Sequence, residues 1–259
     1  MFLKNKVIIV TGSTRGIGRA IASYCVDQGA RVLIHGRDRQ QGQQVVDTLG
    51  ERAVLHLDDL ADPEAAQRMV SAAIDAFGQL DAIVNNGAWV VRSNLDSTDA
   101  QFFDRVIATN LRAPLLLIRA ARDYLAQTQG CVLNIGSINA YHGEENLLAY
   151  SISKGGLMTL SRNLGDVLHR THGIRVNQFN VGWVLTDNEY QHKLDDGLPP
   201  NWPEKLPAQI APAGRLIRPE EIAAAAAWWV SDQSKPFSGS VIDLEQYPVA
   251  GRLNTPEEL

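Results

Sequence analysis

Apolar residues along this chain gather into short continuous runs separated by longer amphipathic stretches. That is the pattern of strands buried on both faces alternating with helices. Val7-Ile-Ile-Val10 is the first run, followed by the loop Thr11-Gly-Ser-Thr-Arg-Gly-Ile-Gly18 and a helical pattern from Arg19 to Gln28. Gly29-Ala30 closes that helix and Arg31-Val-Leu-Ile34 starts a second run. Further strands are predicted at Ala53 to Leu57, Ala82 to Val84, Cys131 to Ile135, near Ile174 to Val176, and at Gly239 to Leu244. Pro63 to Phe77 predicts a helix with Asp62 as N-cap and proline at the first helical position. Asp99 to Gln127 predicts one long helix bent near Pro114, and Glu220 to Val230 predicts an apolar helix.

Strand, glycine loop, helix and strand make the βαβ unit in which glycine loops bind phosphate. Glycine lets the backbone turn sharply and approach a pyrophosphate, and the helix N-terminus offers N–H groups and a positive dipole end. A second pattern lies further on. In Tyr150-Ser-Ile-Ser-Lys154, tyrosine and lysine stand one helical turn apart on one face. A phenol is a poor base at neutral pH, with a reference pKa of about 10. A fixed ammonium nearby is expected to lower it and make proton transfer usable. Ser137 follows the fifth strand, where a hydroxyl could hydrogen-bond a carbonyl oxygen held near Tyr150.

The glycines are spaced Gly12-x-x-x-Gly16-x-Gly18. Joined to Tyr150-x-x-x-Lys154, this resembles the classical short-chain dehydrogenase/reductase family, over roughly residues 4 to 245. The resemblance implies an α/β fold: a single-domain Rossmann-type doubly wound sheet over residues 1–259, with about seven parallel strands flanked by helices on both faces. It implies catalytic roles for Asn110, Ser137, Tyr150 and Lys154, with Asn110 holding a water that connects Lys154 to solvent and Lys154 also bonding the nicotinamide ribose. For the coenzyme it implies Gly12, Thr14, Arg15, Gly16, Ile17, Gly18, Arg37, Asp59, Leu60, Asn86, Tyr150, Lys154, Val184 and Thr186, with Asp59 and Leu60 beside the adenine. Three departures stand out: Gly87-Ala88 in exchanged order after Asn85-Asn86, Val181 in place of a usual proline, and Glu245-Gln246 where Asp-Gly-Gly is usual. From Asp187 to about residue 213 the helical pattern breaks at Pro199, Pro200, Pro203 and Pro207, where the family carries a mobile substrate lid.

The end of the second strand bears on the coenzyme. An acid there would hold the adenosine ribose 2′-hydroxyl and repel a 2′-phosphate. Gly36 stands at that position, with Arg37 next and Arg15 near, while Asp38 is one residue further. Two guanidiniums suit a phosphate, so NADP(H) is expected, with NAD as the alternative.

Composition narrows the partners. The chain has 259 residues, 45% hydrophobic and 20% charged, with net charge −5 and no basic stripe, so nucleic acid is not expected. The longest apolar run, Ile222 to Val230, is too short for a membrane span. Cys25 and Cys131 read as small core residues without metal-ligand spacing, and the chain as cytoplasmic and reduced. No metal is expected. His142 and His192 read as isolated loop residues.

The expected reaction interconverts a secondary alcohol and a ketone by hydride transfer. A sugar or polyol dehydrogenase working in the oxidising direction is the alternative, prompted by Asn139, Glu144, Glu145, Asn146 and Asn180. Trp89, Trp183, Tyr190 and Trp202 could be walls for a sugar ring or packing residues. A non-enzymatic nucleotide-binding regulator is a remote third reading. Gly155-Gly156 in the tyrosine helix is expected to allow close packing against another subunit, in a homotetramer or homodimer.

Overall fold

The computed structural model of the protein describes residues 1–249; the last ten residues of the expected domain lie outside the described residues. The strands are β1 (Val7–Val10), β2 (Arg31–Gly36), β3 (Ala53–Leu57), β4 (Ala82–Asn85), β5 (Cys131–Ser137), β6 (Arg175–Val181) and β7 (Val241–Leu244). They form one parallel sheet in the order β3-β2-β1-β4-β5-β6-β7. The order reverses between β1 and β4, and a crevice at such a switch point is where this architecture binds ligands.

The helices are α1 (Gly16–Asp27), α2 (Arg39–Leu49), α3 (Ala65–Phe77), α4 (Ala100–Ile107), α5 (Ala113–Thr128), the short α6 (Asn139–His142), α7 (Leu148–His172), α8 (Asp187–Asp195) and α9 (Pro219–Trp229). Alternate strand residues face opposite layers. Val10, Ile34 and Phe179 pack with Ile21, Cys25, Ile222 and Ala226 on one face. Ile9, Leu33 and Ile83 pack with Met69, Val70, Leu117 and Leu168 on the other. Each fully buried Ile, Leu or Phe contributes about 1.5–3 kcal/mol of transfer free energy. Cys25 and Cys131 are free thiols inside this core, and burial pushes them up to about 12 and about 11.

Three elements differ from expectation for identifiable reasons. Asp62 does not cap α3. Its carboxylate accepts the Glu64 N–H at 3.0 Å in a local turn and pairs with Arg68, so the helix begins at Ala65. The long helix is interrupted by a π-helical turn at Ala108–Arg112, just before Pro114 rather than at it. Finally, β6 is seven residues long and wholly buried although Asn177, Gln178 and Asn180 are polar. Their amides are satisfied internally. Asn177 Nδ2 donates to Phe237 O at 3.0 Å, and Gln178 Nε2 donates to Asn180 Oδ1 at 2.7 Å. A buried amide with partners costs little, whereas one without costs about 1–3 kcal/mol. Val181, unlike proline, keeps its N–H, and β6 stays paired through it to Ser137 and Leu244.

Candidate active site

The glycine loop leaves β1 with Gly12 at φ +62° and Gly16 at +54°, a region that favours glycine. A Cβ on Gly12 would stand 2.8 Å from Gly87 Cα, and one on Gly18 would clash with the Gly12 carbonyl and the Asn86 amide. Thr11 Oγ1 accepts the N–H groups of Asn86 and Gly87 at 3.0 and 2.9 Å. Asn86 Nδ2 returns bonds to the carbonyls of Thr11 and Gly12 at 3.0 and 3.1 Å. The exchanged Gly87 therefore serves a close approach: a side chain there would meet Leu60 Cδ1 at 2.6 Å. Arg15 enters α1 without a side-chain cap, leaving first-turn N–H groups for an anion. This open cradle fits a dinucleotide pyrophosphate.

At the end of β2, a Cβ on Gly36 would clash with Thr14, so an acidic side chain does not fit without displacing that residue. Asp38 does not fill the gap, because its carboxylate caps α2 by accepting the Gln41 N–H at 3.0 Å. Asp59 Oδ2 pairs with Arg105 at 2.7 Å, and its Oδ1 accepts the Ala61 N–H at 2.9 Å. Burial pushes the Asp59 pKa up, but these bonds and the charges of Arg105 and Arg37 outweigh it and leave the carboxyl below its ordinary value. Arg15 Nη1 donates to Asn188 Oδ1 at 3.0 Å, joining the glycine loop to the first turn of α8. Gly36 thus places no carboxylate at the end of β2, and the charge of Arg37 acts on Asp59.

Beyond the switch point, β5 delivers Ser137 and α7 delivers Tyr150 and Lys154. The Ser137 hydroxyl lies close enough to the Tyr150 phenol to favour its ionised form. Lys154 is 3% exposed; its Nζ donates to Ile135 O at 2.7 Å and lies 5.5 Å from the centroid of the Tyr150 ring. The expected net lowering of the Tyr150 pKa is corrected by the burial of the phenol. The ammonium sits over the ring face and spends a proton on the Ile135 carbonyl. Burial pushes the phenol up to about 12, relieved only in part by Ser137. Burial likewise pushes Lys154 down to about 8. In this state Tyr150 is a neutral proton donor at neutral pH.

Asn110 lies in the π-helical turn, and its side chain is committed to protein partners. Oδ1 accepts the Trp89 N–H at 2.7 Å, while Nδ2 donates to Trp89 O at 3.2 Å and to Ser153 Oγ at 3.1 Å. Ser153 Oγ donates in turn to Tyr150 O at 2.6 Å. Asn110 therefore ties the segment after β4 to the tyrosine helix. Its own carbonyl cannot receive the usual helical donor, because residue i+4 is Pro114 and has no N–H. The two glycines of the tyrosine helix differ: a Cβ on Gly155 would meet only Ala140 O, at 3.5 Å. A Cβ on Gly156 would meet Leu111 Cδ2 at 2.7 Å, so the close approach is to the π-helical turn of the same chain.

On the substrate side, Val184 bridges to Ile217 and Thr186 caps α8 by accepting the Glu189 N–H at 3.1 Å. Trp202 is 3% exposed and stacks on Trp183 at 5.6 Å and on Tyr190 at 6.3 Å. Trp89 packs on Phe102 at 5.2 Å. These aromatics pack against one another. Asn180 is not at the substrate cleft: it is fully buried, donating to Asp243 Oδ1 at 3.3 Å. Asn139, Glu144 and Glu145 line a cavity of about 640 Å³ with Tyr141 and Ile152. Among the described residues, no group of three or more His, Cys, Asp and Glu converges as a metal site, and no helix is long and apolar enough to cross a membrane.

Two clasps escaped sequence reasoning. Glu245 Oε2 accepts the Trp183 N–H at 3.0 Å, and Gln246 bridges the Ala213 N–H and the Arg215 carbonyl at 3.0 and 2.8 Å. The replaced Asp-Gly-Gly was the signal, since longer side chains there must find partners. Arg92 pairs with Asp196 at 2.6 Å, joining the segment after β4 to the end of α8. Nothing local in the sequence announces that pair.

A family model described as enoyl-(acyl carrier protein) reductase matches residues 12–245. The chain is 30% identical to L-rhamnose 1-dehydrogenase (NAD(P)(+)) of Azotobacter vinelandii over 250 residues, covering 93% of this chain and 95% of the relative. It is 31% identical to L-fucose dehydrogenase of Mus musculus, covering 88% and 82%. The crystal structure of 3-ketoacyl-(acyl-carrier-protein) reductase from Brucella melitensis complexed with NADH superposes with a TM-score of 0.81 at 26% identity, covering 93% and 97%. The chain belongs to the short-chain dehydrogenase/reductase family and is an oxidoreductase by that membership.

Proposed function

We propose that this chain interconverts a secondary alcohol and a ketone with NADP(H) as the favoured coenzyme. The observation that carries the reading is the convergence of the Ser137 hydroxyl on the Tyr150 phenol, with Lys154 buried beside the tyrosine ring. The nicotinamide supplies or accepts the hydride when bound. Ser137 orients the substrate oxygen, and Tyr150, held neutral by burial, donates its proton to that oxygen during reduction and recovers it during oxidation. Lys154 holds its charge close to the tyrosine and bonds the nicotinamide ribose. Asn110 keeps the tyrosine helix in register with the segment after β4. Arg15 and Arg37, without an acid at Gly36, support a 2′-phosphate. Gly12, Gly16 and Gly18 admit the pyrophosphate. Thr14, Ile17, Asp59, Leu60, Asn86, Val184 and Thr186 border the same coenzyme.

A sugar or polyol substrate, oxidised, is the second reading, favoured by the rhamnose and fucose dehydrogenases among the relatives. An absorbance screen at the nicotinamide band with NADP(H) and NAD(H) tests both. Ketones and their alcohols, L-rhamnose, L-fucose and acyl thioesters form the panel. Turnover with at least a tenfold lower KM for NADP(H) is expected; a tenfold preference for NAD(H) contradicts the coenzyme assignment. We further propose a cytoplasmic homotetramer or homodimer with a lid over about residues 187–213. A strictly monomeric mass by light scattering contradicts the assembly.

A further inference from the structure

His35 is the penultimate residue of β2 and is 2% exposed. Its ring Nδ1 accepts the N–H of Gly12, the first glycine of the loop, at 3.1 Å. Its backbone carbonyl accepts the Ser13 N–H at 2.8 Å. Its backbone N–H donates to Ser13 Oγ at 2.9 Å, and Ser13 Oγ donates to Val10 O at 2.6 Å. One residue thus fixes two consecutive peptides of the glycine loop against the sheet. Gly12 stands at φ +62° and the Thr11 carbonyl accepts Asn86 Nδ2 at 3.0 Å, so the Thr11–Gly12 peptide is held from both sides.

An accepting Nδ1 requires the neutral ring with its proton on Nε2. Burial pushes the His35 pKa down to about 4, with the charge of His56 acting in the same direction and Asp58 and Asp59 opposing it. The ring is therefore neutral near pH 7. Nε2 is buried without a hydrogen-bond partner among the described residues, although the Asp58 backbone relieves it slightly. A buried N–H left in this way costs about 1–3 kcal/mol. An aliphatic side chain at this place in the core would avoid that cost, and it would leave the Gly12 N–H without an acceptor.

We propose that His35 is a positioning residue for the coenzyme: its Nδ1 holds the Gly12 peptide in the orientation that keeps the phosphate cradle open. The inference rests on the dinucleotide reading of the glycine loop. His35→Leu removes the acceptor at similar volume, and His35→Asn keeps one, because Asn Oδ1 stands near the place of Nδ1. Coenzyme Kd is measured by titrating nicotinamide fluorescence, with thermal unfolding of the coenzyme-free proteins alongside. His35→Leu should raise Kd at least tenfold while unfolding within a few degrees of the parent. His35→Asn should stay within threefold of the parent. Parent-like binding by His35→Leu, or equal losses in both variants, overturns the proposal. A ring ¹⁵N spectrum of the parent supplies a test that needs no variant: Nδ1 must be unprotonated and Nε2 protonated between pH 5 and 8, and a protonated Nδ1 overturns it. A parent that binds neither coenzyme would instead sink the dinucleotide reading itself.

Discussion

The two halves of the crevice are built by different means. Around β1, β2 and β4 the coenzyme half is fastened by backbone contacts and by short side chains that reach backbone. Thr11 takes two amides, Asn86 gives to two carbonyls, and Gly12 and Gly18 leave room for nothing larger. Beyond β5 the substrate half is fastened by large side chains on separate elements. Trp183, Trp202 and Tyr190 stack, Glu245 and Gln246 clasp the segments flanking the lid, and Arg92 reaches Asp196. Backbone fastening fixes geometry to tenths of an ångström but tolerates no added atom. Side-chain fastening suits the proposed lid, because its partners can be exchanged one at a time.

The sharpest way to break the contrast is Gly18→Ala. Overpacking at a site with no room costs about 1–3 kcal/mol, and here it falls on the cradle. Coenzyme Kd should rise about a hundredfold by fluorescence titration. A Kd within threefold of the parent would mean that the cradle is not the binding site.

A stability effect of similar size should appear on acidification. The His35 pKa in the folded chain is about 4 against an ordinary 6.5, so the unfolded chain takes up the proton first as pH falls. Stability should drain between pH 6.5 and 4 by about 3 kcal/mol when complete. Asp58 and Glu221, both held at about 2, lose their own contributions as pH falls from about 4 toward 2, in parent and variant alike. Urea titrations across that window should therefore show a shallower slope for His35→Asn than for the parent. Parallel slopes would remove the buried neutral ring from the account.

Trp202→Ala attacks the other half. Truncating a buried tryptophan costs about 3–5 kcal/mol in a core, but in a lid much of that appears as local opening. The expected result is a substrate KM raised about tenfold with coenzyme Kd unchanged. An equal rise in both constants would mean that the halves are not separately fastened. Arg92→Ala should do least. Its pair with Asp196 is exposed on the arginine side, and such pairs contribute about 0–1 kcal/mol. A change in KM beyond fivefold would give that bridge a role larger than a latch.

This contrast also explains what could be read from the sequence. The glycine loop, the strand runs and the pair Tyr150 and Lys154 follow from local spacing, and the structure brings Ser137, Tyr150 and Lys154 together. Polarity obscured β6, because Asn177, Gln178 and Asn180 look solvent-facing until their partners at Phe237, on β6 itself and on β7 are known. The π-helical turn at Ala108–Arg112 likewise has no periodicity of its own. The electrostatics of Tyr150 do not follow from spacing, which places a cation one turn away but does not give how deeply the phenol is buried.

The central claim is that Tyr150 transfers the proton while the glycine cradle independently holds the coenzyme. Tyr150→Phe tests it in one experiment, with turnover and coenzyme Kd measured on the same preparation. Loss of a positioned general acid reduces rate by about 10²–10⁴. The account predicts that loss in kcat with Kd within threefold of the parent. A variant that turns over within tenfold of the parent would contradict it.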